Sequence, residues 1–292
     1  MRIGAFELRE PVPDMREPHS LAVLWPWIDV GSAGTLTLSS LETSLGAEEL
    51  GRLARPGVFF DFTRYRPTIR FKEGHRQVSV PNTIIKHAKG EDNDFLFLHI
   101  LEPHNLGEAY VDSVLRVLQR FGVKRYCLLG GMYDMVPHTR PLIVTGGSAN
   151  EETQRKLENA NIQQSDYEGP TTITYLISQR APEFGIETVF LIVHLPQYTQ
   201  LEENYLAKVR LMEVLSLLYD LPVDEADVRK AEQQQLEIEE AVEKDHELKP
   251  VVEQLERYYD SRADRAVEDK LPRLSSEVEQ FLQDIGERFE DR

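Results

Sequence analysis

The chain has 292 residues and a formal charge of −17, from 50 acidic against 33 basic side chains, with 41% hydrophobic residues. That apolar content supports a substantial core and argues against disorder as the dominant state. The negative field repels nucleic-acid phosphate and anionic lipid, so neither nucleic acid nor membrane is expected as a partner. Cys127, the single cysteine, cannot form an internal disulfide or a multi-thiolate zinc site. The opening MRIGAFELRE lacks the apolar run of a secretory leader, and no later run reaches membrane-spanning length, so a soluble, cytoplasmic chain is expected.

In chain order the strand candidates are residues 21–25, 58–62, 95–101, 126–129, 142–144 and 188–194, alternating with amphipathic stretches. Several are apolar on consecutive residues, as strands covered on both faces are. The pattern predicts an α/β fold, a mostly parallel sheet covered by helices. Residues 68–80 depart from it. The run TIRFKEGHRQVSV alternates on either side of Glu73-Gly74 and predicts a hairpin standing apart from the parallel core. Between Gly107 and Gly122, Val111, Val114, Leu115, Leu118 and Phe121 recur at three- and four-residue steps, which predicts a covering helix with a glycine stop. Residues 202–219 are apolar around most of their circumference in the second half. They predict either a central core helix or one that touches another subunit or the tail.

Charge divides the chain near Leu221-Pro222: residues 222–292 hold 22 acidic and 11 basic side chains, −11 of the total. The division sets a body, 1–220, against an α-helical C-terminal appendage, 221–292. Residues 226–248 carry a thin apolar line of Val228, Ala231, Ile238 and Val242, which Gln235 and Asp245 interrupt. A second tail helix is expected from Pro250 and a third from the capping box Ser276-x-x-Glu279. Helices so poor in large apolar residues do not make an independent core. The tail is therefore expected to dock on the body, a neighbouring subunit or a partner, with a solvated acidic arm as the alternative.

Function in an open α/β sheet is sought beyond the carboxyl ends of the strands. Four stretches are expected to converge there. After the first strand, Asp29, Gly31, Ser32 and Gly34 form a turn into a helix whose N-terminal amides would suit an anion, although no P-loop lysine or GxGxxG spacing is present. Its alternative is a plain strand-to-helix turn capped by Asp29 or Ser32. Second, His99, Glu102 and His104 cluster at a strand end, where Glu102 and His104 would meet His194; a metal is conceivable but no ligand spacing supports one, and none is assigned. Third, Gly130-Gly131 after an apolar strand permits close approach of a ligand or another segment, ahead of Asp134, His138, Thr139 and Arg140. There Arg140 suits a carboxylate or phosphate and His138 with Asp134 an acid/base pair; the structural alternative has these side chains satisfying carbonyls and fixing subunit packing. Fourth, Gly169-Pro170-Thr171-Thr172 opens a helix. Cys127, inside an apolar strand, reads as packed, and no G-x-S-x-G elbow exists.

The strings LLGGMYDMVPHTRPLIVTGGSA and WPWIDVGSAG resemble the proteasome assembly chaperone 2 family over roughly residues 5–220. The carriers are Gly130-Gly131, the Pro137 to Pro141 stretch and Gly146. The resemblance implies a phosphorylase/hydrolase-like α/β fold, homo-oligomerisation with a trimer favoured, and a chaperone role in assembling proteasome core particles. A helical C-terminal extension is common among prokaryotic members. Some archaeal relatives end in a hydrophobic-tyrosine-any motif, whereas this chain ends Arg288-Phe289-Glu290-Asp291-Arg292. An ATP-grasp activity has no support in these residues.

The leading expectation is a non-enzymatic assembly or scaffold protein, without cofactor, acting through protein contacts with a partner the residues do not name. The rival is a nucleosidase- or phosphorylase-like hydrolase in the strand-end crevice, with Arg140 and the Asp29 to Gly34 turn holding an anion and His138 as acid or base. A small-ligand sensor is the third.

Overall fold

The computed structural model describes residues 1–263 apart from Glu73 and Asp166. In chain order these form β1 (Arg2–Ile3), β2 (Phe6–Leu8), β3 (His19–Trp25), α1 (Ala33–Ser44), β4 (Glu48–Leu53), β5 (Thr68–Lys72), β6 (His75–Ser79), β7 (Ile84–Ala88) and β8 (Phe95–Leu101). There follow α2 (Gly107–Phe121), β9 (Arg125–Asp134), β10 (Val144–Ser148), α3 (Glu151–Asn159), α4 (Ile173–Arg180), β11 (Glu187–Pro196), α5 (Tyr205–Tyr219), α6 (Glu225–Lys244) and α7 (Leu248–Ala263).

The consecutively apolar strands pair in parallel at the middle of a nine-stranded sheet of order β1-β2-β4-β7-β8-β3-β9-β11-β10. Both flanks are antiparallel. Alternation sends Leu21, Val23, Phe95, Phe97, Cys127 and Leu129 to a core with α1 and α5. It sends Ala22, Leu24, Leu96, Leu98, Ile100 and Tyr126 to one with α2 and α4. Each fully buried Leu or Phe contributes about 1.5–3 kcal/mol. The α/β class with helices on both faces therefore follows from the strand pattern. Burial pushes the Cys127 thiol up to about 12, so it is a packing group.

The hairpin expected at 68–80 is present as β5 and β6, a separate two-stranded sheet. Gly122 ends α2 with φ +69°. Residues 58–62, expected as a strand, are instead part of a loop. A 3₁₀ turn at Pro56–Val58 takes the amides of Phe59 and Phe60 back to the Pro56 carbonyl, and both rings anchor the loop in the core. The strand expected at 142–144 begins only at Val144 and runs through Gly146 and Gly147. Strands β1, β2, β4 and β7 were not expected, because polar residues and bulges interrupt their alternation.

The described part of the tail, α6 and α7, docks on the body. Ile238, Val242 and Val252 pack against Tyr198, Leu201 and Leu206, while Val251 and Leu255 pack on Met135 and Tyr198. The two residues that break the apolar line have specific partners: Gln235 donates to the His138 carbonyl, and Asp245 accepts from the amides of Glu247 and Leu248 at the start of α7. α7 begins two residues before Pro250, which sits in its first turn. The helix expected from Ser276 lies outside the described residues.

His19, packed on Tyr219 at 5.1 Å, has its pKa pushed down to about 4 by burial and the nearby Arg125. The unfolded ring takes up its proton near the ordinary value and the folded ring only near 4, so stability falls as pH drops through that window. The loss reaches about 1–2 kcal/mol once screening of the partly open ring is allowed for. Urea midpoints between pH 7 and 5 should decline in the wild type and flatten in His19→Gln.

Candidate functional site

β9 continues past Gly130 and Gly131 to Asp134, in parallel register with β11. What the two glycines admit is another part of the same chain. A Cβ on Gly130 would stand 2.3 Å from the Ile28 carbonyl oxygen, and one on Gly131 2.9 Å from that of Val30. The Gly131 amide donates to Ile28 at 2.8 Å. The turn thus pressed onto the strand is self-capped. Asp29 Oδ1 accepts the amides of Gly34 (2.7 Å) and Thr35 (3.2 Å), and Oδ2 accepts the Thr35 hydroxyl. Of the two alternatives for this turn, an anion site or a plain turn capped by Asp29 or Ser32, the capped turn is the one present: the helix amides hold the carboxylate of Asp29. Burial raises the Asp29 pKa, partly offset by these bonds. Gly31, at φ +60°, accepts Asn204 N–H through its carbonyl, and the Ser32 hydroxyl donates to Glu202, tying the turn to the start of α5.

Asp134 pairs with His194 and not with His138. Its Oδ2 accepts from His194 Nδ1 at 2.8 Å, and His194 Nε2 meets the Thr145 hydroxyl at 2.9 Å. This is the bond order of an acyl-transfer triad, but His194 and Thr145 are buried, and none of the three lines the large cleft described below. In this setting they lock β9, β11 and β10 together. His138 is held by Tyr198, whose hydroxyl accepts the His138 backbone N–H at 2.8 Å and bonds its Nδ1 at 2.6 Å. Burial lowers the His138 pKa.

The outer half of the loop grips the tail. Arg140 donates in a bidentate pair to Asp260 (2.9 and 2.8 Å) and reaches Glu256 at 3.2 Å; the Thr139 hydroxyl also donates to Glu256, and Tyr259 donates to the Pro141 carbonyl. The Arg140 bond holds the Asp260 carboxyl below its ordinary range. Glu256 and Asp260 are four apart and so share one face of α7, a spacing that would have marked them. Tyr198 and Thr145, distant in sequence from their partners, carried no local signal. Surface ion pairs are worth about 0–1 kcal/mol each. Arg140→Ala should therefore barely move the melting temperature, yet speed amide exchange across 248–263 severalfold in hydrogen-exchange mass spectrometry; unchanged exchange there would refute the clamp.

Glu102 and His104 lie apart from all of this, in a cleft of about 900 Å³ at the carboxyl ends of β3 and β8, with Trp27, Asp61, Arg64 and Tyr65. Glu102 accepts the Ile173 amide at the start of α4, and His104 Nδ1 accepts the Asp61 amide. Burial raises the Glu102 pKa. His99 bonds Glu42, and His194 is the Asp134 partner above, so the expected meeting of Glu102, His104 and His194 does not occur. Among the described residues no group of His, Cys, Asp and Glu has metal-ligand proximity.

Residues 23–244 match the model of the PAC2 family. The chain belongs to the PAC2 family. The match takes in α6 and stops short of α7, so the acidic half of the Arg140 clamp lies beyond it. Among curated proteins none matches the chain by sequence. Among solved structures, this PAC2 protein is similar to Rv2714 of Mycobacterium tuberculosis, described as of unknown function, at 28% identity, 91% coverage of this chain, 94% of the other and a TM-score of 0.78. It is also similar to Rv2125 of the same organism, described as a proteasome-assembly chaperone homologue, at 26% identity, 80% and 99% coverage and a TM-score of 0.71. PbaA of Pyrococcus furiosus, described as an archaeal homologue of proteasome-assembly chaperone, shares the fold at 18% identity, 86% and 98% coverage and a TM-score of 0.55.

Proposed function

We propose that this PAC2 protein is a non-enzymatic, cytoplasmic assembly factor that works through protein contacts, including self-association, for which a trimer is favoured by the family. One observation carries the reading: polar groups that suited chemistry are engaged within the chain. Asp29 caps α1, Asp134 and His194 bond each other, His138 is held by Tyr198, and Arg140 grips α7. The 134–141 turn thus serves as a docking face, and α6 and α7 of the appendage are the part it docks. No helix of the described residues is long and apolar enough to cross a membrane.

The description of Rv2125 makes a proteasome core particle the first partner to test. Purified α and β subunits from the source organism should assemble with altered kinetics, or through a different half-assembled species on native gels, when equimolar chain is added. Superimposable time courses with and without it would reject this partner.

The cleft at Glu102 keeps a second reading in play, a small-anion-binding protein or a nucleosidase/phosphorylase-like hydrolase. Ligand at a hundred times its Kd stabilises by about 2.7 kcal/mol. A melting screen with phosphate and nucleosides would show that as a clear rise, and a flat screen would remove this reading.

A further inference from the structure

The β5–β6 hairpin is at odds with the surface around it. Every residue of both strands is exposed, and the strands pair only with each other, Ile69 opposite Val78 and Phe71 opposite Arg76. Directly opposed residues share a face. Ile69, Phe71 and Val78, 61%, 70% and 63% exposed, therefore form one side together with Arg76, whose guanidinium lies 5.5 Å over the Phe71 ring, and Arg70, Lys72 and His75 stand on the other. A lone two-stranded hairpin is marginal in water, and an apolar face left open on it marks an interaction surface.

The arm is also basic. Residues 64–80 carry Arg64, Arg66, Arg70, Lys72 and Arg76 against Glu73 alone, on a chain of net charge −17. Nucleic acid or lipid would suit such an arm in isolation, but the field of the whole chain repels both. An acidic protein surface attracts it, and this chain supplies one. Along α6, Glu232, Leu236, Glu239, Glu240 and Glu243 recur at three- and four-residue steps as an exposed stripe, on a different side from buried Ala231, Ile238 and Val242. Leu236 is 55% exposed and offers the apolar centre that the arm needs.

We propose that the arm lies with its Ile69, Phe71 and Val78 face across the acidic α6 stripe of a second copy of this chain. The proposal deepens the self-association reading given above and rests on it. Phe71→Glu and Leu236→Lys each set like charge against like at that junction and leave both cores untouched. Sedimentation velocity is expected to show the wild type above its 33.6 kDa monomer mass. Each variant should raise the dissociation constant at least about tenfold. Salt raised from about 0.15 to about 1 M should weaken the wild-type assembly. Circular dichroism confirms that the variants are folded. If the wild type assembles and either variant assembles equally well, the arm assignment falls and self-association stands. A wild type that stays monomeric brings down both.

Discussion

Gly130→Ala is expected to lower stability by about 3 kcal/mol, seen as a melting temperature roughly 6–12 °C lower or as insoluble protein. The added Cβ would stand 2.3 Å from the Ile28 carbonyl oxygen and 3.1 Å from Ile192 Cδ1. The near neighbour is backbone, on a segment tied down by the Gly131 amide and by the Asp29 bonds to Gly34 and Thr35, so it has no cheap way to retreat. Gly147→Ala is the control, since a Cβ there meets Phe190 at 3.4 Å, an ordinary contact. Equal melting curves for the Gly130 variant and the wild type would show that the glycine pair does not hold the turn on β9.

Lys208→Ala should cost about 3–5 kcal/mol in urea unfolding, the penalty for leaving a buried charge unpaired. Lys208 Nζ and Asp227 Oδ2 are 2.5 Å apart with side chains only 7% and 10% exposed, at the contact between α5 and α6. Exchange should accelerate across α6, because this pair fastens the start of that helix. A double variant, Lys208→Met with Asp227→Leu, should recover most of the loss, since a buried ion pair contributes little over well-packed apolar groups. A single variant costing under about 1 kcal/mol would mean that water reaches the pair.

The legibility of this fold varied with how local its cause was. β3, β8, β9 and β11 were readable because strands buried on both faces need apolar residues at successive positions. α2 was readable from its stripe and glycine stop. β4 and β7 were not, since EELGRL and IIKHA owe their strand geometry to neighbours in the sheet more than to their own pattern. Residues 58–62 misled for the converse reason: an apolar run in a loop buries its aromatic side chains as effectively as a strand does, and only hydrogen-bond partners distinguish them.

The candidate site followed the same rule. Gly130-Gly131 marked a close approach, and the approach is real, but spacing alone did not reveal whether ligand or chain would fill it. Asp134, four residues from His138, looked like its acid/base partner. Parallel pairing of β9 with β11 brought His194 closer, and Tyr198 took His138.

By itself the sequence determined the α/β class, the separate hairpin and the acidic tail, because each depends on composition or on short-range periodicity, while the family showed through a resemblance carried by Gly130-Gly131 and the Pro137 to Pro141 stretch. The tertiary structure alone decided that Arg140 grips Glu256 and Asp260, that Asp134 meets His194, and that α6 and α7 lie on the body. These are pairings across tens to more than a hundred residues, and charges or donors choose such partners by proximity in the folded chain, which no local pattern encodes.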